Sequence, residues 1–194
     1  MSGVVLAERR VLTDLVPGAF VRDLTIVAAG AVATGLAAQV SVPIEPLSPV
    51  PLTGQTLAVV LVAAAAGPVR GVISMALYLL AGVVGVPWFA EGTSGSSMVS
   101  LGYVIGFLAA GVVVGELARR GGDRTPWRTA LTMAAGNLAI YAVGVPYLAV
   151  AAHLSPADAL SKGLVPFLVG DALKIALAAG LLPATWALVR RLQA

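Results

Sequence analysis

Apolar residues along this chain run in long, nearly unbroken stretches, and the polar ones gather in the short gaps between them. Six stretches stand out, covering about 24–42, 53–66, 69–86, 100–118, 127–152 and 164–189. In lipid each must satisfy its own backbone hydrogen bonds, which at these lengths selects helices. The pattern predicts an all-α membrane protein of six transmembrane helices, with 1–194 forming a single integral membrane domain. The second stretch is short: fourteen residues rise about 21 Å, against about 30 Å of hydrocarbon. Two readings fit it. Either a tightly bent helix pair turns around Gly67-Pro68, or the preceding loop, Pro43 to Leu52, folds inward and lines a cavity.

Composition strengthens the membrane reading. Hydrophobic residues make up 59% of the chain and charged ones 11%, with mean hydropathy +0.96. Soluble domains carry about 25% charged residues, because they need a polar exterior. The net charge of +3 does not point to nucleic acid, since the basic residues sit between apolar stretches rather than along one stripe. They are sorted by side instead. Arg9, Arg10, Arg22, Arg70, Arg119, Arg120, Arg124, Arg128, Arg190 and Arg191 all fall on one side of a six-helix topology, and the opposite loops hold only Lys162. By the positive-inside rule both termini are cytoplasmic, which makes Pro43–Leu52, Pro87–Val99 and His153–Gly163 the outward loops.

Several chemistries are missing from the sequence. There is no cysteine, hence no disulfide or thiolate site. The single histidine, His153, has no partner ligands nearby in sequence, which speaks against a zinc site or a serine–histidine dyad. No P-loop, HExxH or GxSxG motif occurs. No catalytic residue, metal or cofactor is assigned.

Asp171 and Lys174 are the most informative residues. They stand three apart on the last helix and so share a face. Placing a charge at the bilayer centre costs about 2.5–3.5 kcal/mol, so such residues mark a pathway, a ligand site or a structural ion pair. Gln55 begins the short helix beside the proline-rich loop. Tyr103 and Tyr147 are polar aromatics within helices, for which interhelical hydrogen bonding is the plainer reading. Glu91 follows the apolar run VPWFA in a loop and reads first as solvated. Trp88 reads as an interfacial aromatic that could also wall a pocket. Small residues recur at helical spacing as well. Gly102–Gly106 and Gly111–Gly115 form two GxxxG pairs, and Ala29, Ala33 and Ala37 form a ridge on the first helix that could meet another subunit.

These motifs converge. The run PVPLTGQTLAVVLVAAAAGPVRG (Pro49–Gly71) resembles the hallmark of the BioY family, the biotin-binding S components of energy-coupling-factor (ECF) transporters. AAQVSVP, YLLAGVVGVPWFAEG, LGYVIGF, YAVGVPYL and PFLVGDALKIALA fit the same family in the same order. Two features depart from it: the stretch between Ala90 and Tyr103 is shorter, and Glu91 stands where a small or amide residue is commoner.

The resemblance implies the six-helix S-component fold in the cytoplasmic membrane and a biotin pocket near the outer face. It also implies a complex with a transmembrane coupling subunit and two ATP-binding cassette ATPases. The substrate-binding set is then Asp171, Lys174, Gln55, Glu91, Tyr103, Tyr147 and Trp88, and Ala29, Ala33 and Ala37 face the coupling subunit. Three other functions stay open at this point: an S component for another vitamin, a self-sufficient secondary biotin transporter, and an intramembrane enzyme using Asp171 and Lys174 as acid and base.

Overall fold

The computed structural model describes residues 11–15 and 20–192. Arg9 and Arg10, which enter the charge argument, lie outside them. Six α-helices follow in order: α1 (Phe20–Ala38), α2 (Gln55–Val83), α3 (Leu101–Arg119), α4 (Pro126–Ala151), α5 (Pro156–Gly163) and α6 (Leu168–Leu192). Between α1 and α2, β1 (Ser41–Val42) and β2 (Leu52–Thr53) pair antiparallel, with Ser41 opposite Thr53, and pinch off the proline-rich loop at its neck. Five helical stretches among the described residues are long and apolar enough to cross a membrane: α1, α2, α3, α4 and the run from Pro156 to Leu192.

α2 is not a straight rod. At Gly67 the backbone takes φ 81, ψ 176, in the left-handed half of the map that only glycine enters without strain. Pro68 supplies no N–H to continue the ladder and disfavours helical geometry in the residue before it. The chain therefore doubles back, and 55–66 lies against 68–83. Gln55 Nε2 donates to the Tyr78 hydroxyl at 2.8 Å across 23 positions of sequence, which a straight helix would hold about 34 Å apart. A Cβ added at Gly71 would lie 3.1 Å from Ala63 Cα. Of the two readings of the short second stretch, the bent pair is what forms. The second reading also holds in part, because Val50 and Pro51 of the preceding loop face a cavity.

The two GxxxG pairs of α3 serve different neighbours. A Cβ on Gly106 would come within 2.8 Å of the Ile140 carbonyl oxygen of α4, whereas one on Gly115 would come within 2.5 Å of Pro68 N at the α2 turn. α3 is accordingly the most enclosed helix. The other helices leave large apolar side chains such as Leu36, Val150 and Leu181 exposed on the outside of the bundle, which is the surface lipid would cover.

Aromatic residues fill one end of the bundle: Tyr78, Phe89, Tyr103, Phe107 and Phe167. Small and aliphatic residues, including Ala63, Ala64, Val114, Ala118, Met133 and Ala178, fill the other. That second end is closed by a buried polar lock. Trp186 Nε1 of α6 donates to Asp123 Oδ2 at 2.6 Å, Arg124 Nε lies 3.3 Å from Asp123 Oδ1, and the Arg124 guanidinium stacks 3.5 Å over the Trp186 ring. Burial pushes the Asp123 carboxyl above its ordinary value, opposed chiefly by the Trp186 hydrogen bond. Nearby, Arg70 reaches Asp14 at 2.9 Å and Asp23 at 3.0 Å, tying the N-terminal turn and α1 to the α2 hairpin.

The segment His153–Gly163, expected as loop, is largely helical. Ser155 caps α5 by accepting from the Asp158 N–H at 3.1 Å, and Pro156 occupies the first turn, both familiar start signals. The helix is only eight residues long, too short and too polar to show as an apolar stretch.

Candidate functional site

At the aromatic end, a cavity of about 590 Å³, counted to its open mouth, is lined by α2, α3, α4 and α6 together with the segments that lead into α2, α3 and α6. The β1–β2 loop contributes Val50, Pro51 and Thr53, and the start of α2 contributes Gln55 and Thr56. Phe89, Ala90, Met98 and Ser100 come from the connection to α3. Tyr103, Val104 and Phe107 come from α3, Ile140 and Tyr141 from α4, and Asp171 and Lys174 from α6, behind Phe167. The wall is mostly apolar, and its formal charges are one carboxylate and one ammonium.

Those charges reach the cavity because Asp171 lies in the first turn of α6, with Lys174 one turn below on the same face. Asp171 is 6% exposed. Its Oδ2 accepts from the Tyr141 hydroxyl of α4, and its Oδ1 lies 3.8 Å from Lys174 Nζ. Lys174 Nζ donates to Thr56 Oγ1 at 2.8 Å, bridging α6 to α2. A buried charge with open hydrogen-bonding capacity is costly to leave unmatched. The pair is therefore suited to a neutral ligand that carries an N–H donor and a strong carbonyl acceptor close together.

The seven candidate residues divide. Asp171, Lys174, Gln55 and Tyr103 meet in the cavity wall, whereas Glu91, Trp88 and Tyr147 are not part of it. Glu91 is exposed, at φ 60 in a single 3-10 turn beside the mouth, and its neighbour Ala90 is what lines the wall. Trp88 is a wedge between helices. Its Nε1 donates to the Tyr78 carbonyl at 2.9 Å, and its ring lies against Gly35 of α1. Tyr147 covers Gly102, where a Cβ would fall 2.2 Å from its own Cβ.

Gln55, although in the wall, already has both amide atoms engaged. Nε2 donates to Tyr78, and Oε1 accepts from Thr53 Oγ1 at 2.9 Å. The Tyr103 hydroxyl donates to the Gly163 carbonyl at 2.7 Å and ties α3 to the end of α5. On α1, Ala29 and Ala33 are exposed and Ala37 is half-buried, while Gly30, Ala31 and Thr34 face inward.

Sequence reasoning missed Tyr141 and Thr56. A tyrosine inside an apolar helix carries no mark of its role, and Asp171 is 30 residues away. Thr56 left a weak signal, as a second polar residue directly after Gln55 at the start of the short helix.

Comparison with known proteins identifies the family. A sequence model described as the BioY family matches residues 8–191. The biotin transporter BioY of Thermotoga maritima is 36% identical over 137 residues, covering 69% of this chain and 79% of that protein. The probable biotin transporter BioY of Pyrococcus horikoshii is 34% identical over 157 residues, covering 81% and 91%. Biotin transporter BioY2 of Lactococcus lactis is 32% identical over 155 residues, covering 78% and 83%. These relatives are transporters, and the acid–base enzyme reading of Asp171 and Lys174 is set aside with them. The crystal structure of the S-component for biotin from an ECF-type ABC transporter superposes with a TM-score of 0.75 over 86% of this chain and 92% of that one, at 22% identity. The fold is thus the S-component fold. On its sequence, the chain belongs to the BioY family.

Proposed function

We propose that this protein captures biotin in the Asp171–Lys174 cavity and imports it across the cytoplasmic membrane, as the substrate-specific subunit of an ECF-type transporter. It works with a transmembrane coupling subunit and two ATP-binding cassette ATPases. The observation that carries the reading is one carboxylate and one ammonium, held side by side in a mostly apolar cavity. Biotin offers ureido N–H donors, a strongly accepting ureido carbonyl and an apolar thioether ring. Asp171 accepts from a ureido N–H, and Lys174 donates to the ureido carbonyl. The ring lies against Phe89, Phe107 and Ile140. Selectivity follows because a ligand lacking either polar group would leave a buried charge unmatched. The direct test is retention of labelled vitamins by the purified protein. Biotin should be retained and recovered chemically unchanged while other vitamins wash through; retention of a different vitamin in its place would reject the assignment.

The two halves of α2 count as separate crossings, so the chain crosses the membrane six times with both termini in the cytoplasm. The distribution of arginines supports this orientation. Cysteine at Ser96 should react with an impermeant thiol reagent on intact cells, and cysteine at Arg120 should not. Both positions are exposed on the folded protein, so the membrane alone separates the outcomes. Labelling from outside at position 120 would invert the topology.

Ala29, Ala33 and Ala37 form the face of α1 that meets the coupling subunit. Small side chains allow close backbone approach there. Ala33→Leu should abolish copurification with the coupling subunit while biotin binding is kept, because α1 contributes nothing to the cavity wall. Copurification at the wild-type level would remove this face from the interface. Uptake in cells lacking ATPase partners would identify a self-sufficient transporter instead.

A further inference from the structure

The two charges in the cavity do not close on each other. Lys174 Nζ and Asp171 Oδ1 are 3.8 Å apart, well beyond the roughly 2.7–2.9 Å of a charge-assisted hydrogen bond. Their spacing on α6 would permit direct contact. Each is held instead by a neutral hydroxyl from a different helix. Tyr141 of α4 donates to Asp171 Oδ2, and Thr56 of α2 accepts from Lys174 Nζ at 2.8 Å.

We propose that Tyr141 and Thr56 are positioning residues that hold the Asp171–Lys174 ion pair open, so that a cyclic urea inserts between the charges without first having to separate them. This inference rests on the reading of Asp171 and Lys174 as the ligand-binding pair.

The physical reason lies in competition. In a low-dielectric cavity, a carboxylate and an ammonium in direct contact satisfy one another, and a neutral ligand must break that contact before it binds. A hydroxyl anchors each group without neutralising it. Tyr141 occupies one carboxylate oxygen and leaves the lone pairs of Oδ1 facing the gap. Thr56 takes one of the three ammonium hydrogens and leaves the others. The anchors are themselves fixed. The Tyr141 ring stands edge-on to Tyr103 with centroids 6.3 Å apart, and Thr56 sits in the first turn of α2, next to Gln55, whose amide is tied at both ends. Helices α2, α4 and α6 thus jointly set the width of the gap, a supporting shell of the kind that preorganises a binding site.

The test uses Tyr141→Phe and Thr56→Val, each alone and in an Asp171→Asn background, with biotin titrated against the purified full-length protein and the ligand-free melting temperature measured in parallel. Each single variant should bind biotin about tenfold more weakly, while the ligand-free protein melts at or above the wild-type temperature because its charges can now meet. In the Asp171→Asn background the Tyr141→Phe penalty should shrink to within about twofold, since without the carboxylate charge there is no ion pair left to hold open. Wild-type affinity in both single variants would overturn the inference. So would an undiminished Tyr141→Phe penalty in the double variant, or a lowered melting temperature with unchanged affinity. If Asp171→Asn alone binds biotin normally, the ligand-site reading itself fails. If Asp171→Asn weakens binding and the two hydroxyl variants do not, only the positioning role is lost.

Discussion

Biotin binding should fall at least tenfold, about 1.4 kcal/mol or more, when Asp171 is replaced by Asn, and by a similar factor when Lys174 is replaced by Met. Asp171→Asn keeps the shape of the side chain and can still accept from Tyr141, so the wall stays intact. It loses the charge-assisted acceptor facing the gap, where each such bond contributes about 1.5–3 kcal/mol. Lys174→Met keeps most of the apolar stem but leaves Thr56 and the ureido carbonyl without a donor, and Asp171 without its neighbouring cation. Titration of the folded variants checks both. A purely structural ion pair gives the opposite signature, with lowered melting temperatures and undiminished biotin affinity in whatever remains folded.

The largest effect on stability should come from a single methyl group at Gly115. A Cβ there would lie 2.5 Å from Pro68 N, 2.6 Å from Pro68 Cα and 2.7 Å from Gly67 C. All three are backbone atoms of the α2 turn and cannot rotate aside. Gly115→Ala should destabilise the protein by about 3 kcal/mol, at the upper end for overpacking, because α3 and the hairpin must separate to admit it. Gly180→Ala is the matched control. Nothing lies within 4 Å of its added carbon, so the helix propensity of alanine should leave stability unchanged or raise it by up to about 1 kcal/mol. Melting curves of the two variants in the same detergent decide this, and a Gly115→Ala protein that melts with wild type would mean that the hairpin yields where the geometry has it rigid.

Much of this arrangement is legible in the residues alone. Hydropathy locates the long helices because lipid leaves the backbone few alternatives, and Gly67-Pro68 marks the reversal because one residue permits the left-handed turn and the other stops the ladder. Errors of reading arise where polarity and structure part company. α1 already includes Phe20 to Asp23, ahead of Leu24, and within it Arg22 and Asp23 pair at 2.8 Å. α5 hides in a polar gap, although Ser155-Pro156 with Asp158 is a legible cap. In the cavity, Asp171 and Lys174 are conspicuous because charge is rare in apolar helices, whereas Tyr141 is not, since its meaning depends on a partner that only tertiary packing brings near. Trp88 and Tyr147 show the converse limit. An aromatic at a helix end looks the same in sequence whether it walls a ligand or wedges two helices.

The hairpin also fixes how far a captured molecule still has to go. The first half of α2 runs from Gln55, in the cavity wall, to Ala66, just before the turn beside which Arg70 pairs with Asp14. Those twelve residues rise about 18 Å, in a hydrocarbon layer about 30 Å thick. On the proposed reading, a ligand resting at the level of Gln55 would already have crossed about 12 Å of the insulating layer. The work left to an energised partner would then be to open the remaining stretch of about 18 Å, a core of alanine, valine and leucine closed by the Asp123–Arg124–Trp186 lock.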